Sequence, residues 1–200
     1  LTKPDKDRSV FDLIAPIYGL FYSGQKKHYS ERLDALKPDL DLSRYEKVLD
    51  VGCGTGALCA VLHQRGHDVT GIDPAKKMLE VAVRKPENRG IRFMEGDVLK
   101  GLPFEEKSFD ISIASYVAHG LKEEERRIMY AEMSRVSREL VIFYDYNENR
   151  SIFTDFVEWL EKGDYFNFIR QVRVELTDNF KSVQVVDATV RGAWYICTPR

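Results

Sequence analysis

Three glycines at alternate positions follow closely on an acid in Val48-Leu49-Asp50-Val51-Gly52-Cys53-Gly54-Thr55-Gly56. Glycines spaced like Gly52, Gly54 and Gly56 let a backbone turn sharply and let a ligand approach its N–H groups with no side chain between. Cys53 and Thr55 fill the gaps. Cys53 reads as a small residue that fits the loop; the alternative, a reactive thiol, rests on the following helix N-terminus. Asp50 selects the ligand. A carboxylate at the mouth of the loop repels a pyrophosphate, which needs N–H donors and positive charge. It suits a ligand that carries a cation.

Two more acids end strand-like runs. Asp73 lies 21 residues after Gly52, near the ~20 of a ribose-binding carboxylate. Its plain alternative is an acid complementing the dipole of the next helix. As a strand-end acid outside the core, its loss should spare the fold. Asp97 stands in Gly96-Asp97-Val98, with a turn aspartate before Leu99 as its alternative. Asp50, Asp73 and Asp97 would then ring one crevice at the carboxyl ends of the strands, where open α/β sheets bind ligands. Gly52-x-Gly54-x-x-Ala57 also fits the dinucleotide fingerprint formally. An NAD-dependent oxidoreductase is therefore an alternative, and Asp50 opposes it.

The elements that must hold these residues alternate along the chain. Strands are expected at Lys47–Val51, Asp68–Asp73, Ile91–Met94, Phe109–Ala114 and Leu140–Tyr144. Leu58, Val61 and Leu62 repeat at helix spacing, as do Met78, Leu79 and Ala82, and Met129, Met133 and Val136. Pro74 opens the second of these helices, since a first helical turn does not need the missing N–H. Strands alternating with helices predict a doubly wound, mostly parallel α/β sheet. Val183–Val190 and Ala193–Thr198 are separated only by Arg191-Gly192, too short for a crossover helix, so the sheet should end in an antiparallel hairpin. Residues 147–180 read as a helical insertion. Ile152, Phe153, Phe156, Val157 and Leu160 make one apolar stripe, and Tyr165, Ile169, Val172 and Leu176 another. Core packing is the first reading of these rings, an aromatic acceptor pocket the second.

Composition narrows the class. The 200 residues suit a single domain, 1–200, with a net charge of −2 that provides no broad basic field for nucleic acid. Three cysteines form no CxxC pair and no metal-ligand spacing, which predicts no metal and a reducing, cytoplasmic location. No apolar run reaches membrane-spanning length. The sequence begins at Leu1 rather than Met and leaves open what precedes it.

The acidic-x-Gly-x-Gly-x-Gly motif, with the later strand-end acids, resembles the class I S-adenosylmethionine-dependent methyltransferases, from about Val48 to Tyr144. Their fold is a seven-stranded Rossmann-like sheet ending in an antiparallel hairpin. The resemblance implies S-adenosyl-L-methionine as cofactor, a ligand with an ammonium, a sulfonium and no phosphate. Asp50, Gly52, Cys53, Gly54, Gly56, Asp73 and Pro74 would form its site. Asp97 would take the adenine amino group, and the neighbouring backbone N–H at Val98 a ring nitrogen. Ser115-Tyr116-Val117-Ala118-His119 would lie beside the methyl group, with Ser115 on the cofactor and His119 as the candidate catalytic base; a helix cap or a hydrogen bond to the loop is the other reading of His119. His119 matches a position often held by histidine in enzymes similar to the ubiquinone/menaquinone-biosynthesis methyltransferases; the next residues, Gly120 and Lys122-Glu123, depart from their pattern. Phe11-Asp12-x-x-Ala15-x-x-Tyr18 also resembles that family, which implies a lid over residues 1–30 with Tyr18 and Tyr22 as its candidate contacts; an amphipathic helix packed on the sheet edge is the alternative. The partner implied is a small-molecule methyl acceptor, and the protein a monomer or homodimer. A module that binds S-adenosylmethionine without turnover is the non-enzyme alternative.

Overall fold

The computed structural model describes residues 21–149 and 164–200. Tyr18, most of the expected lid and the stripe from Ile152 to Leu160 lie outside them. The chain divides after Lys100 into two compact units.

The first unit holds helix α1 (residues 21–36), strand β1 (Lys47–Val51), helix α2 (Ala57–Gln64), strand β2 (Asp68–Asp73), helix α3 (Lys76–Arg84) and strand β3 (Arg92–Glu95). The strands are parallel in the order β3-β2-β1, and β1 pairs with β2 from Lys47 opposite Asp68 to Val51 opposite Ile72. β1 and β2 are nearly continuous buried runs, as strands covered on both faces must be. Leu58, Val61 and Leu62 of α2, and Met78, Leu79 and Ala82 of α3, are all buried. α3 starts at Lys76, two residues beyond Pro74, because Asp73 Oδ1 accepts the Ala75 N–H (2.8 Å) and sets where the helix begins. Tyr22 of α1 is buried against Ala57 and Ala60 of α2.

The second unit holds strand β4 (Phe109–Ser115), helix α4 (Glu123–Val136), strand β5 (Ser137–Tyr146), helix α5 (Tyr165–Asn179) and strands β6 (Ser182–Asp187) and β7 (Gly192–Thr198). Their order is β4-β5-β7-β6, with β4 and β5 parallel and β7 antiparallel to both neighbours, which is the expected hairpin. β5 begins three residues before the apolar run, because Ser137 pairs with Phe109 and its hydroxyl donates to Ser112 Oγ (2.7 Å). The hairpin turn is longer than the Arg191-Gly192 gap. Thr189 Oγ1 accepts the Arg191 N–H (3.2 Å) and draws residues 188–191 out of the ladder. Gly192 instead opens β7, where a Cβ would come within 3.0 Å of Thr189 Oγ1 and 3.3 Å of the Tyr116 hydroxyl. Tyr165, Ile169, Val172 and Leu176 form the buried face of α5. No helix among the described residues is long and apolar enough to cross a membrane.

Candidate functional site

The glycine loop lies between β1 and α2, and β2 holds it in place. Ile72 O accepts the N–H groups of both Gly52 (2.8 Å) and Cys53 (3.1 Å). Asp73 Oδ2 accepts the Gly54 N–H (2.8 Å). All three loop glycines have positive φ, 73°, 52° and 78°, a region L-residues with a Cβ seldom enter. The third has a further constraint. A Cβ on Gly56 would lie 2.6 Å from Asn88 Nδ2 and 2.8 Å from Phe93 Cζ. Asn88 reaches there because its Nδ2 donates to Thr55 O (3.2 Å) and Ala82 O (2.8 Å), while its Oδ1 accepts from the Tyr22 hydroxyl (2.8 Å). Tyr22, a lid candidate by sequence, is thus a buried strut that steadies the loop through Asn88.

The three acids occupy different environments. Asp73 is only 7% exposed, and each of its carboxylate oxygens accepts a backbone N–H, from Gly54 and Ala75. The helix-start role and the loop-facing role are therefore combined in one side chain. Asp97 is half-buried; Oδ1 accepts the Leu99 N–H (3.0 Å) and Oδ2 lies 3.4 Å from Lys100 Nζ. Its neighbour Gly96 donates to Asp73 O (3.1 Å), which joins the ends of β2 and β3. Val98 is buried in the turn just after it.

Asp50 is 1% exposed, so its carboxyl sits behind the loop rather than on an open rim. Oδ2 accepts from the Cys59 thiol (3.1 Å). Burial pushes the carboxyl from 3.8 up to about 7; the Cys59 bond opposes this and the Asp73 charge adds to it. Gly71, opposite Asp50 in the ladder, leaves the room: a Cβ there would meet the sulfurs of Cys53 (2.9 Å) and Cys59 (3.0 Å). Burial also pushes the Cys53 thiol up to about 11, which keeps it protonated. Cys53 is 8% exposed.

The raised Asp50 carboxyl has a measurable consequence. Unfolding returns it to 3.8, so the unfolded chain loses its proton first as pH rises. The stability that the protonated group retains below pH 3.8 is lost by about pH 7. Urea unfolding across this window should show a fall in the parent that Asp50→Asn lacks; the same slope in both proteins rejects the assignment.

In the second unit, Ser115 ends β4, half-buried, and Tyr116 comes next with φ 54°. A bulky residue there stores about 1–3 kcal/mol of strain, held by the Tyr116 N–H donating to Tyr144 O (2.8 Å). His119 lies in the next turn. Its Nδ1 is 2.8 Å from Asp145 Oδ1, and its backbone N–H donates to Asp145 Oδ2 (3.3 Å). Asp145, on β5, is 1% exposed. The rings of Tyr146 and Tyr116 stand edge-on to the imidazole, with centroids 4.9 and 6.3 Å away. The sequence reasoning missed Asp145. Its signal was present: an apolar run ending in an acid, the same pattern that singles out Asp50 and Asp73.

A glycine loop at the first strand–helix turn, tied down by the acid that ends the second strand, defines an α/β nucleotide-site protein of the Rossmann-like class. Residues 48–139 match a family described as Methyltransferase domain. An uncharacterized methyltransferase of Bacillus licheniformis is 31% identical over 76% of this chain and 71% of its own length. A demethylmenaquinone methyltransferase of Thermus thermophilus is 40% identical, but over 50% of this chain and 48% of that one. Among solved structures, a magnesium protoporphyrin IX methyltransferase from Synechocystis with bound S-adenosylhomocysteine superposes with a TM-score of 0.66 at 18% identity. It covers 89% of this chain and 84% of that one, a likeness that shows the fold. The chain belongs to the S-adenosylmethionine-dependent methyltransferase family. Its strands, seven among the described residues, have the mostly parallel arrangement with terminal antiparallel hairpin that the sequence predicts.

Proposed function

We propose that the chain binds S-adenosylmethionine on the backbone of Gly52, Cys53, Gly54 and Gly56, with Asp73 on the ribose hydroxyls. It transfers the methyl group to a small-molecule acceptor. The observation that carries this reading is the Asp73 carboxylate at the end of β2, tied to the middle of the glycine loop through the Gly54 N–H. Asp97 and the Val98 N–H take the adenine, and Pro74 flanks the ribose. Asp50 supports the loop from behind. His119 acts on the acceptor. The protein works in the cytoplasm as a monomer or homodimer.

The chemistry asks little of the protein. An acceptor atom attacks the methyl carbon, the carbon–sulfur bond breaks, and its electron pair stays on sulfur. The sulfonium is already activated, so alignment and exclusion of water are the main contributions. The reading of a module that binds without turnover is weakened by the His119–Asp145 pair, which cofactor binding does not require.

Thermal unfolding with ligands tests the binding half. S-adenosylmethionine or S-adenosylhomocysteine at 100 times Kd should add about 2.7 kcal/mol of stability by mass action. That is about 5–11 °C for a chain of this size. NAD should add nothing. Stabilisation by NAD and by neither adenosyl ligand overturns the proposal. A methyl-release assay over a metabolite panel then separates an enzyme from a binding module.

A further inference from the structure

We infer that Asp145 is a positioning residue, which fixes the His119 imidazole with its proton on Nδ1 and its basic lone pair on Nε2. The inference rests on the methyltransferase reading for its purpose, and on second-unit geometry alone for its substance.

Asp145 Oδ1 is 2.8 Å from His119 Nδ1 and also accepts the Tyr146 N–H (2.8 Å). Oδ2 accepts the His119 backbone N–H at 3.3 Å. A carboxylate has only acceptors to offer, so the nitrogen it faces must carry the proton. The bond to the His119 backbone adds a second restraint, because it holds the turn from which the ring projects. The edge-on rings of Tyr146 and Tyr116 limit rotation of the imidazole about its bond to Cβ. Asp145 is 1% exposed, and a buried carboxylate is costly unless its acceptors are used. Here three donors use them.

The arrangement suits an acceptor that still carries its proton. As the acceptor's electron pair forms the bond to the methyl carbon, its proton passes to Nε2. The carbon–sulfur pair stays with sulfur, and S-adenosylhomocysteine leaves as a neutral thioether. The positive charge that began on the sulfonium ends on the imidazolium, beside the Asp145 carboxylate. Asp145 thereby sets the tautomer before transfer and faces the charge after it. Substrates that are already nucleophilic without losing a proton do not need this pair, so it points to hydroxyl or carbon acids as the acceptor class.

Nitrogen-15 NMR of the histidine side chains, followed upward in pH until the His119 signals stop shifting, reads the tautomer of the neutral imidazole directly. The parent should show His119 protonated on Nδ1, with His119→Gln used to assign the signal. Asp145→Ala should move it toward the Nε2–H form that a free histidine side chain favours. Asp145→Asn, whose amide oxygen can still accept at the Oδ1 position, should retain the Nδ1–H form. Should Asp145→Ala fail to fold, the parent and Asp145→Asn spectra still decide. An Nε2–H signal in the parent overturns the inference, as does an Asp145→Ala spectrum that matches the parent. Calorimetry with S-adenosylhomocysteine on the same samples keeps the two claims apart. A parent that does not bind it defeats the methyltransferase reading, whatever the tautomer.

Discussion

Arg126→Ala should lower the unfolding free energy by about 3–5 kcal/mol, the usual cost of stranding half of a buried ion pair. For a chain of this length that is about 6–20 °C in melting temperature. Arg126, on α4, is fully buried. Its guanidinium grips Glu175 of α5 with two bonds, Nε to Oε2 (2.8 Å) and Nη2 to Oε1 (2.6 Å). Nη1 donates to Asp164 Oδ2 (2.9 Å) and to Leu121 O. The Tyr130 hydroxyl donates to Glu175 Oε2 (3.2 Å), and the Phe168 ring lies 5.6 Å from the guanidinium carbon. Burial acts to lower the guanidinium pKa, but the bonds to Glu175 and Asp164 outweigh it and hold it above its ordinary value. Alanine leaves two carboxylates and a carbonyl without their shared donor. Because Leu121 is two residues beyond His119, the loss should also loosen the turn that carries the imidazole. Chemical denaturation checks the magnitude, and a companion pair of changes checks the cause. Arg126→Met with Glu175→Leu removes the pair together and should cost less than Arg126→Ala alone. A loss below about 1 kcal/mol for Arg126→Ala would place the network among exposed pairs of little worth.

Asp73→Ala should weaken S-adenosylhomocysteine binding about 10- to 150-fold, the equivalent of about 1.5–3 kcal/mol for hydrogen bonds to a charged group. It should also lower stability, by a similar about 1.5–3 kcal/mol. This second loss departs from the sequence expectation that a strand-end acid can be removed without cost to the fold. The carboxylate accepts from Gly54 and Ala75, so alanine frees the middle of the glycine loop and the start of α3 together. Calorimetry measures the first effect and urea unfolding the second. The two readings of Asp73 separate cleanly. Parental affinity with reduced stability leaves Asp73 only as the anchor of loop and helix, whereas parental stability with reduced affinity leaves it only as a ligand contact. Both losses together are the expected result.

The sequence by itself determined what is local and periodic. Asp50-x-Gly52-x-Gly54-x-Gly56 needs no tertiary information, because positive φ at three alternate residues excludes almost everything except glycine. The apolar spacing at Leu58, Val61 and Leu62, or at Tyr165, Ile169, Val172 and Leu176, marks one helix face whatever packs on it. The short break before Ala193 fixes an antiparallel hairpin, because a parallel return needs a long crossover.

Tertiary structure alone decided which charged groups are buried and what they meet. Charged residues are expected outside, so nothing in Glu-Glu-Glu-Arg126-Arg127 separates the fully buried arginine from its exposed neighbour. Its partner lies 49 residues away, beyond any periodic signal. His119 and Asp145 are 26 residues apart and meet because β5 runs beside β4, the strand that leads into the His119 turn. Asp50 changes most between the two views. Its position in the motif reads as an acid facing a ligand, but the packing of Cys59 and the gap left by Gly71 enclose it. Spacing records where along the chain a side chain leaves the backbone. What surrounds it, and so whether it keeps its proton, depends on residues that only the fold brings near.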